Sequence, residues 1–148
     1  MEIRHAKPSD YGRVIARVNV WWSGRDMAPM LPKLFFLHFD GTSFVAEREG
    51  GELAGFLVGF LSQTEPEEAY VHFVGVDPEA RGEGVGRALY EHFFEAVRAD
   101  GRSVVRCVTS PRNESSLAFH RALGFEVERV AENYDGQGED RALLVRRL

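Results

Sequence analysis

The chain has 148 residues, 44% of them hydrophobic, which suits one domain with an apolar core, and we expect a single domain over residues 1–148. A formal net charge of -5 without a block of basic residues argues against a nucleic-acid partner. Cys107 is the single cysteine, so no internal disulfide can form, and the apolar run LAGFLVGFL is too short to cross a membrane. We therefore expect a cytoplasmic protein.

The first part of the chain is predicted to form a strand, two helices and a pair of strands. A short strand around Ile3 precedes a helix that Ser9 or Asp10 can cap. The stretch APMLPKLFFLHF predicts a short second helix that begins at a proline. The runs SFVAERE and ELAGFLVGFLSQ predict strands, and Gly50-Gly51 between them predicts a tight hairpin.

The remaining elements alternate between strands and helices. AYVHFVGV predicts a strand, and after the segment RGEGVG the apolar spacing predicts a helix that ends at Gly101. SVVRCVT predicts another strand, and NESSLAFHRALGF a short helix with Asn113 as N-cap and Gly124 as its stop. EVERVAEN and RALLVRRL predict the final strands. The order βααβββαβαββ indicates a mixed α/β domain.

The segment RGEGVG needs an explanation of its own, because its three glycines weaken either a helix or a strand. A nucleotide P-loop and the dinucleotide fingerprint both fail at Arg87. A third pattern, Arg/Gln-x-x-Gly-x-Gly/Ala between a strand and a helix, is matched by Arg81, Gly84 and Gly86. Unpaired N–H groups and the helix dipole can surround a pyrophosphate there. The alternative is a glycine-rich turn that binds nothing.

Two segments in register resemble the GNAT superfamily of N-acetyltransferases. FVGVDPEARGEGVGRALYEHFFEAVRADG is similar to its acetyl-CoA-binding segment, and NESSLAFHRALGF resembles its next signature, Asn-x-x-Ser/Ala-x-x-φ-Tyr-x-x-x-Gly-Phe. The resemblance is strong over residues 70–125, and the element order extends it to the whole chain. It implies an α/β (α+β) fold with a mixed, mostly antiparallel central sheet of about seven strands and about four helices. It also implies acetyl-CoA as co-substrate, with no metal.

The resemblance assigns cofactor-binding positions as well. The strand before the glycine loop would lie along the pantetheine arm, the loop would hold the pyrophosphate, and the motif asparagine would approach the cofactor. The implied residues are Val74, Gly75, Val76, Arg81, Gly82, Gly84, Val85, Gly86, Arg87 and Asn113. For Arg87 an ordinary helix-surface position is the alternative, and Asn113 would serve as an N-cap in either case.

Direct attack of an amine on a thioester needs a base for the amine and a proton for the departing thiolate. Tyr70 and His72, two residues apart on a strand, are predicted to share one face, and no carboxylate stands where many relatives place a glutamate. His72 is the expected base, because histidine titrates near neutral pH. His120 takes the place of the superfamily's thiolate-facing tyrosine and is expected to donate the proton. A structural role is the alternative for both histidines.

The acceptor side is less defined. The region that forms the wall of the acceptor pocket in relatives corresponds here to Trp21, Trp22 and residues 23–40. The opening of the same pocket could also be reached by Tyr134 and Asp135. Core packing is the alternative for the two tryptophans. We expect an acetyl-CoA-dependent N-acetyltransferase acting on a primary amine of a small molecule rather than of a protein, without nucleic-acid or membrane partners; a homodimer stays open. The alternative function is a non-catalytic acyl-CoA-binding sensor or interaction module.

Overall fold

The computed structural model describes residues 1–148 as one seven-stranded sheet with α-helices on both faces. The strands are β1 Glu2–His5, β2 Phe44–Glu47, β3 Leu53–Leu61, β4 Glu68–Val76, β5 Val104–Thr109, β6 Glu126–Ala131 and β7 Arg141–Arg147. The helices are α1 Tyr11–Trp21, α2 Leu34–Leu37, α3 Val85–Ala99 and α4 Glu114–Ala122. This confirms the predicted fold class. No helix combines the length and the apolar character of a membrane-spanning segment.

Local sequence explains most of these elements. The long helix α3 buries Val85, Leu89, Phe93 and Val97, which recur every four residues along one side. The hairpin between β2 and β3 turns at Gly50 and Gly51, whose φ angles are +95° and +88°. L-residues rarely adopt these angles, so the Gly-Gly pair specifies the turn.

The segment between α1 and β2 differs from its prediction. The expected second helix is divided into a 3₁₀ turn, Ala28–Met30, and the single-turn helix α2. Pro32 separates them, because a proline disfavours helical geometry in the residue before it, and Leu31 has φ -119° and ψ 83°. Trp22 lies just beyond the end of α1, whereas Trp21, the last residue of the helix, is buried.

The sheet opens in its middle. Its order is β1-β2-β3-β4-β5-β7-β6, and β4 with β5 is its one parallel pair. These two strands pair only where residues 68–70 meet residues 104–106, although β4 continues to Val76 and β5 to Thr109. Beyond Tyr70 the strands therefore diverge, and a gap separates them.

Two apolar clusters lie on opposite faces of the sheet. On one face α3 and α4 pack over both sides of the gap, since that cluster includes Leu57 from β3 and Leu144 from β7. On the other face α1 and α2 pack against β2, β3 and β4 alone, with Phe56 at the centre. Strand β4 is thus held from both faces while one of its edges stays open.

Candidate functional site

The loop between β4 and α3 presents a group of unpaired amides. The backbone N–H groups of Gly82, Gly84, Val85, Gly86 and Arg87 donate to no protein acceptor. Gly82 and Gly84 have φ angles of +85° and +79°, and nothing lies within 4 Å of a Cβ built on either. These unpaired amides lie at the positive end of a 15-residue helix, which is a favourable environment for a phosphate or pyrophosphate.

Asp77 fixes the entrance to this loop. Its backbone N–H donates to the Ala54 carbonyl (2.8 Å), and its carboxylate accepts from the Glu79 N–H (2.9 Å) and from Arg48 (3.1 Å). Burial opposes ionisation, but these two hydrogen bonds outweigh it and lower the pKa of Asp77. Sequence reasoning missed this residue, although an Asp before Pro at a strand end is a recognisable capping signal.

The edge of β4 offers backbone groups to the gap. Because Asp77 is bonded to β3, the alternation of an antiparallel ladder turns the N–H and C=O groups of Val74 and Val76 away from β3, towards the diverging β5. Gly75 lies between them, and a Cβ there would stand 2.6 Å from Phe56 and 2.8 Å from Trp22. The glycine lets both aromatic rings pack directly on the strand.

Helix α4 packs closely on the start of α3. A Cβ on Gly86 would lie 2.8 Å from the Phe119 ring, so the third loop glycine serves this contact. Asn113 caps α4 by accepting from the Ser116 N–H (3.1 Å). The Arg81 side chain is exposed and forms no ion pair, whereas Arg87 donates to the Ala122 carbonyl (3.2 Å) at the end of α4. For Arg87 the structure therefore leaves the backbone N–H, not the side chain, at the loop.

His72 stands at a bulge in β4. Val58 pairs with Phe73 and Gly59 with Val71, so His72 is an extra residue in the ladder, and it is exposed. Its Nε2 lies 2.7 Å from the Met30 carbonyl, and its ring stacks on Phe35 with centroids 5.0 Å apart. Because a carbonyl oxygen can only accept, Nε2 carries the proton of the neutral ring, and Nδ1 of that tautomer has a free lone pair.

Tyr70 lies on the same face as His72, as predicted, at the point where the gap opens. Its ring stacks on Phe60 at 5.4 Å, and its hydroxyl forms no hydrogen bond within the protein. Burial raises the pKa of Tyr70, and the nearby Tyr134 and Asp135 add to the effect. The phenol thus stays protonated at neutral pH.

His120 has a different environment from the one predicted. Its side chain is 5% exposed, Nε2 lies 2.6 Å from the Tyr90 hydroxyl, and Nδ1 lies 2.8 Å from the Ser116 carbonyl. Both ring nitrogens are occupied, so neither is available to a thiolate in this geometry, which favours the structural alternative. Burial lowers the pKa of His120, and burial also raises the pKa of Cys107, which lies beside Tyr90, to about 12. The histidine is neutral and the cysteine a protonated thiol.

The two tryptophans are separated. Trp21 is 3% exposed and stacks on Phe56, so it belongs to the core, as the alternative for it proposed. Trp22 is only partly buried and packs on Phe73 and over Gly75, on the same strand as His72. Of the predicted acceptor-side residues, the partly buried Trp22 and the half-exposed Tyr134 are accessible to solvent. No group of three or more His, Cys, Asp or Glu side chains is arranged as a metal site.

The fold and parts of the sequence are similar to known acetyltransferases. The chain is 35% identical over 85 residues to L-2,4-diaminobutyric acid acetyltransferase of Nocardia farcinica, covering 57% of this chain and 44% of that protein. It is 36% identical over 84 residues to N-alpha-acetyltransferase RimI of Mycobacterium tuberculosis, covering 56% and 51%. The chain spans about half the length of these curated relatives.

A solved structure and a family match cover more of the chain. The crystal structure of Chaetomium thermophilum Naa20 with a bisubstrate analogue superposes with a TM-score of 0.81 at 24% identity, covering 100% of this chain and 87% of that one. This likeness concerns the fold. The Acetyltransferase (GNAT) family matches residues 11–125, which include α1, the glycine loop and α4. The chain belongs to the GNAT family of acetyltransferases.

Proposed function

We propose that this chain transfers the acetyl group of acetyl-CoA directly to a primary amine of a small molecule. One observation carries the proposal: a cluster of unpaired amides at the start of α3 adjoins the open edge of β4, and the same strand bears a histidine with a free ring nitrogen. An anion site, a strand edge and a base are the parts that such a transfer requires.

Backbone groups would hold the donor. The amides of residues 82 and 84–87 suit the pyrophosphate, and the edge groups of Val74 and Val76 suit the amides of the pantetheine arm, as a neighbouring strand would. We assign Arg81 and Asn113 to the ends of this path. Bound there, acetyl-CoA supplies an activated thioester in the gap between β4 and β5.

Side chains on β4 would move the protons. His72 Nδ1 takes one proton from the ammonium group, directly or through water, and leaves a neutral amine. As the N–C bond forms and the C–S bond breaks, Tyr70 donates its hydroxyl proton to the thiolate. The second proton that the amine loses restores Tyr70 through solvent. We assign the donor role to Tyr70 rather than His120, because the Tyr70 hydroxyl is unpaired and both His120 nitrogens are bonded.

A small acceptor fits the position of the segment above β4. The Met30 carbonyl accepts a hydrogen bond from His72, which places the 3₁₀ turn Ala28–Met30 against the strand beside the proposed base. Among the relatives, one is named for diaminobutyric acid and another for N-alpha-acetylation. The first of these acceptor types is the smaller, and we propose a compact amine of that kind.

The test compares both acceptor types by release of free CoA from acetyl-CoA. We expect L-2,4-diaminobutyrate to be acetylated with a kcat/KM at least about tenfold above that of a short peptide with a free N-terminal alanine. A preference for the peptide would reverse the acceptor class. Binding of acetyl-CoA without transfer to either acceptor would establish the non-catalytic acyl-CoA-binding module instead.

Two substitutions test the residue roles in the same assay. His72→Ala and Tyr70→Phe should each lower kcat about 100-fold and leave the KM for acetyl-CoA unchanged, since neither residue is assigned to donor binding. His92→Ala is the control, because His92 is an exposed histidine on α3 whose ring contacts only the Ala88 carbonyl of its own helix and the Phe44 ring. A His72→Ala enzyme with wild-type kcat would remove His72 from the mechanism.

A further inference from the structure

A polar side chain on α1 holds the segment that follows it. The Asn19 amide oxygen accepts from the backbone N–H groups of Met27 (2.7 Å) and Ala28 (2.9 Å), and its amide nitrogen donates to Asp26 (3.3 Å). Met27 and Ala28 form the N-terminal end of the 3₁₀ turn Ala28–Met30. Asn19 thus caps this turn from another element, where the turn has no capping side chain of its own.

The other end of the same turn reaches His72. The Met30 carbonyl, which accepts from His72 Nε2, belongs to the last residue of the turn. The turn itself contains only two backbone hydrogen bonds, Met30 N–H to Met27 and Leu31 N–H to Ala28. A continuous path of hydrogen bonds therefore runs from Asn19 through the turn to His72.

The ring of His72 needs this contact to present the correct nitrogen. Stacking on Phe35 fixes the ring plane, with an angle of 12° between the rings. A 180° rotation about the Cβ–Cγ bond would keep the ring in that plane and leave the stack intact, but it would put Cε1 where Nε2 stands and Cδ2 where Nδ1 stands. The Met30 carbonyl selects between the two orientations, because only the protonated nitrogen can face it. An outer hydrogen-bond partner that fixes tautomer and orientation is a general device for functional histidines.

We propose that Asn19 is a positioning residue for His72, acting through the 3₁₀ turn Ala28–Met30; this rests on the proposed role of His72 as the base. Asparagine is a poor helix former, so the helix itself does not explain its presence in the last turns of α1. Asn19 contacts neither the glycine loop nor the edge of β4 through its polar atoms. Its effect should therefore fall on kcat and not on donor binding.

The experiment follows the His72 ring by ¹⁵N–¹H NMR and the reaction with acetyl-CoA and L-2,4-diaminobutyrate. In the wild type we expect an Nε2–H signal protected from solvent exchange. In Asn19→Leu this signal should be lost to exchange, and kcat should fall about tenfold with an unchanged KM for acetyl-CoA. The double variant Asn19→Asp/Asp26→Asn should retain both properties, since the new carboxylate can accept from the same two N–H groups and from the amide introduced at position 26.

A matched control separates positioning from general loss of stability. Ser62→Ala also removes a side-chain oxygen that accepts from a loop amide, the Glu65 N–H at 3.0 Å, between β3 and β4. It should leave the His72 signal and kcat unchanged. Should Asn19→Leu fail to fold, Asn19→Ser, whose hydroxyl is too short to reach both amides, is measured in the same way.

Each outcome decides a separate question. A protected Nε2–H signal together with wild-type kcat in the Asn19 variant overturns the inference. The inference is also overturned if Asn19→Leu lowers kcat as much in the His72→Ala background as in the wild type. Asn19 would then act by a route that does not involve His72. If His72→Ala is fully active, the role proposed for His72 fails, while the NMR signal still reports whether Asn19 positions the ring.

Discussion

The proposed donor side and the proposed acceptor side of this site consist of different kinds of groups. On the donor side, the groups proposed to bind acetyl-CoA belong to the backbone: unpaired amides at the start of α3 and the free edge of β4. On the acceptor side the candidates are side chains from distant segments, with Trp22 after α1, Phe35 on α2, His72 on β4 and Tyr134 between β6 and β7. The donor side depends on the absence of side chains at the loop glycines, and the acceptor side depends on the identity of individual side chains.

This difference has a physical consequence. Backbone amides are identical in every chain, so a local arrangement of glycines and a helix start can recur with little change. Side chains gathered from four elements can be exchanged one at a time without altering the sheet. We therefore expect donor binding to respond strongly to loop geometry and acceptor selection to respond in small steps to individual residues.

The donor side should be the easier one to abolish. Gly84→Leu adds a bulky side chain between residues that carry unpaired amides and forces an unfavourable φ of +79°. We expect the Kd for acetyl-CoA to rise at least about 100-fold, since hydrogen bonds to a charged group are worth about 1.5–3 kcal/mol each. Isothermal titration calorimetry measures this change.

Gly101→Leu is the matched control for that variant. Gly101 also has a positive φ, +77°, and open space around it, but it lies in the turn after α3. It carries the same backbone strain at the opposite end of the helix. Equal losses of affinity in the two variants would mean that strain, not occlusion of the amides, weakens binding.

The acceptor side should respond in a smaller step. Tyr134→Ala removes a half-exposed ring near Tyr70, and we expect the KM for L-2,4-diaminobutyrate to rise about threefold to fivefold, as for one lost aromatic contact. The KM for acetyl-CoA should stay the same. Val130→Ala, an exposed apolar residue on β6, is the control. A change in donor KM instead would show that the two sides are not separate.

His120 belongs to neither side, and its substitution should affect stability alone. Its folded pKa is lowered by burial, so the neutral form is the native one. The contribution of His120 is complete above the unfolded pKa of about 6.5 and is lost as the pH falls below it, because the unfolded chain then binds a proton that the folded chain excludes. The limiting slope is about 1.4 kcal/mol per pH unit.

Denaturant unfolding between pH 5 and 7.5 checks this dependence. His120→Gln should flatten the slope, since glutamine can still accept from Tyr90 but does not titrate. Its kcat at pH 7.5 should stay close to that of the wild type. A 100-fold loss of kcat with unchanged stability would return the proton-donor role to His120.

The two sides also differ in how far the sequence predicted them. The glycine loop, the hairpin at Gly50-Gly51 and the ends of α3 follow from local rules on φ angles and apolar spacing, and the structure contains them at those positions. The bulge at His72 depends on pairing between β3 and β4, and it needs Gly59, where a Cβ would stand 2.6 Å from the Tyr70 carbonyl. The alternation of residues along one strand does not predict which residues of β3 and β4 pair with each other.

Contacts between distant segments explain the remaining differences. The orientation of His120 depends on Tyr90, which is 30 residues away in the chain, and the separation of Trp21 from Trp22 depends on where α1 ends against Phe56 and Phe73. In each case the residue type was recognised, but its partner was not. The bond from Met30 to His72 likewise joins two segments that no sequence pattern links.

Because Cys107 is buried, its reaction with an alkylating reagent can report transient opening of the protein core. This thiol lies on β5 just beyond the last residue paired with β4, and its neighbour Tyr90 is fully buried. A protonated, enclosed thiol reacts with alkylating reagents only in molecules whose core has transiently opened. Because Cys107 is the only cysteine in the sequence, the rate of alkylation measures how often the core opens. A compound that binds across the gap between β4 and β5 should slow alkylation in proportion to its occupancy.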